Sequence, residues 1–172
     1  MKIVGCLFIL AGFILYCAKT CYLLQYKYEE WTRLESVLME LLRNNRYARQ
    51  ILSVALQQAL GEMTKEGTVK IETEKCMQRL FQGKEELEVI WSDYVEEIMK
   101  VIPASPALKM QLLRLGNVLG KKESDVIEIY LEECISLIEE EMGRYAADIK
   151  GKRKAKMAVG GFICTTTILV LI

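Results

Sequence analysis

The chain has 172 residues, 23 Lys and Arg, 23 Asp and Glu, and no histidine. The net charge of zero averages unlike parts: residues 20–149 hold all 23 acids but 16 bases, net −7, while residues 150–156 (KGKRKAK) hold five bases and no acid. An acidic middle argues against nucleic-acid binding, which needs a basic face for phosphates. The absence of histidine removes the commonest general base and metal ligand.

In chain order, the first element is an uncharged apolar run at residues 3–18, matched at the other end by residues 157–172. Each run is about 24 Å long as a helix at ~1.5 Å per residue, slightly short of a hydrocarbon core of ~30 Å. Lys19 and Lys156 can snorkel, and Tyr22, Leu23 and Leu24 extend the first run. Both therefore read as membrane-spanning helices, within segments 1–24 and 157–172. Tyr16, Tyr22, Tyr26, Tyr28 and Trp31 cluster at the inner end of the first, the depth that rings with a polar edge favour. Cleavage as a signal peptide is disfavoured, since Tyr16-Cys17-Ala18 puts a bulky ring at the −3 position. Cys6 lies too near Met1 for a lipoprotein box.

The segment 25–149 is dominated by 3.6-residue periodicity. A helix is expected over residues 26–42, with Trp31, Leu34, Leu38 and Leu41 on one stripe and Asn44-Asn45 as a break. Further helices are expected over 47–60, 71–81 (ending before Gly83) and 84–101 (ended by Pro103). The fourth has Leu87, Ile90, Trp91, Tyr94 and Ile98 on its apolar side. Ser105-Pro106 reads as an N-cap followed by proline at the first helical position, opening a fifth helix over 106–119 with Gly120 as its C-cap. A sixth starts near Ser124 with the stripe Ile127, Leu131, Cys134, Ile138, Met142, Tyr145 and Ile149, close to a heptad seam. The fold class is thus all-α: an antiparallel bundle of about six helices flanked by N- and C-terminal transmembrane helices. A coiled coil is the alternative for the middle, but the regular Gly and Pro breaks favour a bundle.

The basic collar 150–156, with Lys150, Lys152, Arg153, Lys154 and Lys156, orients the chain. With Lys19, Lys27 and Arg33 it puts the bundle in the cytoplasm and both termini across the membrane. Cysteines 6, 17, 21, 76, 134 and 164 form no Cys-x-x-Cys and read as small apolar filler. No phosphate-binding glycine loop or nucleophile elbow occurs. The clusters Glu29-Glu30, Glu96-Glu97, Glu132-Glu133 and Glu139-Glu140-Glu141 read as solvated helix faces rather than a carboxylate metal site. No cofactor and no catalysis are expected. Arg114, Trp91 and Tyr94 are candidates for an interface, with packing the expected duty of the two aromatics.

The order of these parts carries a resemblance. So do Phe81, Trp91 in Val-Ile-Trp-Ser-Asp, Leu115-Gly116-Asn-Val-Leu119-Gly120, the following Ser124-Asp125, and Gly160-Gly161. The chain resembles the stage III sporulation protein AB family, which is itself similar to a cytoplasmic domain of the type II secretion system F protein. It departs from the family pattern in two places. Residues 44–56 keep only Ala55-Leu56 and have no proline, and Lys121-Lys122-Glu123 lengthens the gap after Gly120. The resemblance implies a membrane platform in an endospore-forming bacterium, multi-pass in the mother-cell membrane around the forespore, within a secretion-like channel between the two cells. It implies docking of a cytoplasmic secretion-type ATPase, stage III sporulation protein AA, alongside other subunits of the complex. The residues alone also allow a passive membrane-tethered scaffold that self-associates as a homo-oligomer. A pore-former is weakly supported, because only Thr165, Thr166 and Thr167 are polar in the second run.

Overall fold

A computed structural model describes residues 2–47, 52–63, 66–119 and 124–171. Among them every regular element is helical: α1 (Lys2–Tyr47), α2 (Leu52–Glu62), α3 (Thr68–Gln82), α4 (Leu87–Met99), α5 (Pro106–Leu119) and α6 (Ser124–Leu171). The chain is all-α, as the periodicity requires. It divides into two compact units. Unit 1 is formed by residues 1–28 and 143–172, and unit 2 by residues 29–142.

Unit 2 is a bundle whose core follows the apolar stripes. Trp31, Leu34, Leu38 and Leu41 of α1 are buried, as are Ile90, Trp91, Tyr94 and Ile98 of α4 and Leu108, Leu112 and Leu115 of α5. From α6 the unit buries Leu131, Cys134, Ile138 and Met142. Cross-helix hydrogen bonds fix the register of the later helices. Thr73 of α3 meets Tyr94 of α4 at 3.0 Å. Trp91 of α4 meets Leu112 of α5 at 2.7 Å, and Glu141 of α6 accepts from the Ser105 amide at 2.9 Å. These bonds join α3 to α4, α4 to α5, and the residue before α5 to α6.

Several boundaries differ from expectation: α3 begins at Thr68 rather than at 71, α4 spans Leu87–Met99 rather than 84–101, and α1 differs at both ends. The first helix does not break at Asn44-Asn45. The Asn44 amide donates to the Glu40 carbonyl at 2.9 Å and to the Glu40 carboxylate at 2.6 Å, so the residue expected to cap the helix is held inside it. Nor is there a separate helix before residue 26, because α1 is one element from Lys2 onward. Gly83 does end α3, in the left-handed region at φ 62°, which glycine adopts without a Cβ penalty. The expected cap Gly120 lies outside the described residues.

Unit 1 comprises the first part of α1 and the last part of α6. A Cβ at Gly160 would fall on the Phe13 ring, so glycine there is what allows that ring to lie against α6. Gly160 is buried, whereas Phe8, Ile14, Leu15, Leu23, Val159 and Phe162 are exposed.

Candidate functional site

The motif residues gather around one ring. The Trp91 indole N–H donates to the Leu112 carbonyl at 2.7 Å. A Cβ at Gly116 would come within 2.5 Å of Trp91 Cδ1, so glycine is required here for space. Leu115 is buried beside Gly116 in α5, and Tyr94 lies with its ring centroid 5.2 Å from that of Trp91. Thr73 Oγ1 donates to the Val69 carbonyl at 2.7 Å, which leaves the Tyr94 hydroxyl to donate to Thr73. Burial raises the Tyr94 hydroxyl well above its ordinary pKa, so it stays a neutral donor. The remaining motif positions are not part of this knot. Leu119 is half-buried, Asp125 is exposed, and Ser124 opens α6 with its side chain outside the described residues. Phe81 and Arg114 are exposed.

The acidic clusters are not uniformly solvated, which corrects the sequence expectation. Glu30 is fully buried. One of its carboxylate oxygens accepts from Arg33 at 2.7 Å and from the Thr68 amide at 3.1 Å; the other accepts from the Val69 amide at 2.7 Å. It therefore supplies the cap that Gly67, which has no side chain, cannot give to the start of α3. The helix N-terminus favours that negative charge. A Cβ at Gly67 would sit 2.6 Å from Arg33 Nη1 and closer still to the carboxylate. Glu141 plays the equivalent part at α5. It accepts from the Ser105 amide at 2.9 Å and from the Ser105 hydroxyl, while that hydroxyl accepts from the Leu108 amide at 3.2 Å. Each long helix thus puts one buried carboxylate on the first turn of a short one. Both carboxylates were legible as residues in core register: Glu30 lies four before Leu34, and Glu141 three after Ile138.

The outer face of unit 2 is ionic. Arg79 pairs with Asp93 at 2.8 Å and with Glu85, whose carboxyl is held below its ordinary range by that contact. Burial pushes the thiols of Cys76 and Cys134 up to about 12, so neither is a nucleophile at neutral pH. Among the described residues no three His, Cys, Asp or Glu side chains gather as a metal site.

In unit 1 three threonine hydroxyls are satisfied locally. Thr20 donates to the Tyr16 carbonyl at 2.9 Å, Thr165 to the Gly161 and Phe162 carbonyls at 2.9 Å, and Thr166 to Phe162 at 2.8 Å. Among the described residues no helix is long and apolar enough to cross a membrane. Much of each expected span lies outside that set, with side chains at 3, 4, 6, 7, 9 and 10, and at 157, 163, 164 and 167–172, not described. The backbone of the basic collar is helical, and the side chains of Lys150, Lys152, Arg153, Lys154 and Lys156 also lie outside the described set.

No curated protein and no solved structure matches the chain. The family model described as stage III sporulation protein AB matches residues 2–172, so both units, the Trp91–Gly116 knot and the collar fall within one match, and the chain belongs to that family.

Proposed function

We propose that this chain is a non-enzymatic membrane platform of the sporulation machinery. In this reading both ends are anchored in lipid and the acidic bundle faces the cytoplasm to dock a secretion-type ATPase. Family membership implies the sporulation role and an endospore-forming host. The observation that carries the membrane reading is the outward apolar surface of unit 1. Ile14, Leu15 and Tyr16 are consecutive and all exposed, so they cover about 200° of the helix circumference at ~100° per residue. One neighbouring helix does not cover such an arc, whereas lipid does. The Thr20, Thr165 and Thr166 hydroxyls, tied to their own backbone, suit the same solvent, where an unpaired polar group is costly.

Charge supports the orientation. Unit 1 carries nine Lys and Arg against one acid, Asp148, while unit 2 carries 14 bases against 22 acids. Anionic headgroups attract the first and favour keeping the second in water. The passive-scaffold reading would use the α6 seam for self-association, but Leu131, Cys134, Ile138 and Met142 are already buried in unit 2. The unbroken span of α6 from Ser124 to Leu171 favours a relay instead. A helix of that kind can carry a tilt from a docked motor to membrane partners.

Fusing a reporter that is active only outside the cytoplasm after Ile172 tests the topology; activity only when it is inserted near Gly67 would overturn it. A flexible Gly-Ser insertion at Gly151 abolishes a relay and spares a scaffold, so normal sporulation with that insertion rules the relay out. A pull-down that captures no ATPase while the bundle is folded removes the docking partner.

A further inference from the structure

A groove of about 470 Å³ lies on unit 2 along α1, lined by residues from Glu35 to Arg43 together with Glu62 at the end of α2. Most of its polar groups are already engaged. Arg43 is held by Glu40 and by Glu62 at 3.2 Å, Glu40 also holds Asn44, and Ser36 donates to the Thr32 carbonyl at 2.9 Å. Two of the lining residues, Glu35 and Met39, take no part in these bonds. Met39 is 46 % exposed although its neighbours Val37, Leu38 and Leu41 are all buried. Glu35 makes no hydrogen bond or ion pair among the described residues, and the charge that acts on it, Glu139 of α6, has the same sign. Both burial and Glu139 raise its pKa.

A half-buried carboxylate facing a second carboxylate, beside an exposed thioether, is electrostatically and hydrophobically incomplete. A cation placed at Glu35 removes the like-charge repulsion, and an apolar side chain on Met39 removes thioether surface from water. Methionine suits such a surface because its flexible, polarizable side chain adapts to a partner. We infer that this groove is the docking site for a protein segment that presents an arginine or lysine to Glu35 and an adjacent apolar side chain to Met39. Arginine fits better than lysine, because its planar fork can serve two carboxylates at once. The inference rests on the platform reading only for who supplies the segment; the groove specifies the segment's chemistry.

The test uses the full chain in nanodiscs of zwitterionic lipid, with methionine methyl groups isotopically labelled. The probe is an amphipathic helical peptide of leucine and arginine, against the same peptide with glutamate for arginine. The expected result is a saturable shift of the Met39 methyl with the arginine peptide and none with the glutamate peptide. Met110, 56 % exposed on α5, stays in place. Glu35→Lys weakens binding tenfold or more, and Met39→Ser weakens it while leaving the charge intact. Binding that shifts Met110 rather than Met39, or that Glu35→Lys leaves unchanged, overturns the groove. A negative ATPase pull-down with the Met39 titration intact removes the platform reading and leaves the groove standing.

Discussion

α1 and α6 each contribute to both units, and their residues obey opposite rules in the two. In unit 2 the large apolar side chains Trp31, Leu34, Leu38, Leu131 and Ile138 are turned inward, and even the carboxylates of Glu30, Glu40 and Glu141 are buried, the first and last on amides at the start of a helix. In unit 1 Phe8, Ile14, Leu15 and Phe162 face outward and the described threonine hydroxyls bond to their own helix. The difference teaches that one continuous helix can carry two unlike surfaces, a periodic apolar stripe packed inward in unit 2 and apolar side chains left exposed in unit 1.

The strongest way to break this comparison is to remove a ring from unit 2 and a side chain from unit 1 and find equal effects. Trp91→Ala removes the ring that lies on Gly116 and the hydrogen bond to Leu112, and costs about 3–5 kcal/mol. Leu15→Ala leaves the unfolding of the bundle unchanged. Both tryptophans, Trp31 and Trp91, lie in unit 2, so tryptophan fluorescence in a urea titration reports that unit alone, with Trp31 as the probe in the Trp91 variant.

Glu30→Ala comes next. It strips the cap from α3 and leaves the largely buried Arg33 with only Glu29 at 3.4 Å, a loss of about 3 kcal/mol, toward the low end for a broken buried pair. Hydrogen exchange at the Thr68 and Val69 amides rises with it. Exchange at those amides that stays at the wild-type level shows that the carboxylate does not hold the turn. Leu15→Asp tests the other side at similar size. On the membrane reading proposed above, a charge at mid-span costs about 2.5–3.5 kcal/mol on insertion scales, and the variant leaves the membrane fraction more readily while its urea midpoint holds. Gly67→Ala is smaller, about 1–3 kcal/mol, because the Arg33 and Glu30 side chains must give way to a methyl group.

The sequence made some of this legible and hid the rest for one reason. α5 is found from Ser105-Pro106, and α3 ends where Gly83 says, because caps and turns are local chemistry. The inward turn of Trp91 follows from its place on an apolar stripe. The roles of Glu30 and Glu141 do not follow from local chemistry, since the amides they hold lie 39 and 36 residues away. Register with Leu34 and Ile138 marks which member of the Glu-Glu pair or triplet faces inward, but not which amides it holds. Asn44 misled for the converse reason. Asparagine favours helix ends when its side chain serves its own backbone, and here Glu40, one turn earlier, takes it up.

The smallest effects carry the sharpest sign. Glu35 has its folded pKa raised above the ordinary 4.5 by burial and Glu139. Below 4.5 it is protonated in the folded and unfolded chain alike, and its charge costs nothing. As pH rises through the raised folded value, the folded state must bear the carboxylate, and stability falls. Glu35→Gln is therefore more stable than wild type at pH 7, and the two melting curves converge below pH 4.5. Glu85 behaves oppositely, because the Arg79 contact lowers its folded pKa. Its contribution is present above 4.5 and lost as pH falls through the folded value, so Glu85→Gln is the less stable chain at pH 7. Both charges lie on unit 2, one facing a carboxylate and one facing a guanidinium. Melting temperatures that move in the same direction for the two variants would mean that the overall acidity of the bundle, rather than the groove at Glu35, sets its response to pH.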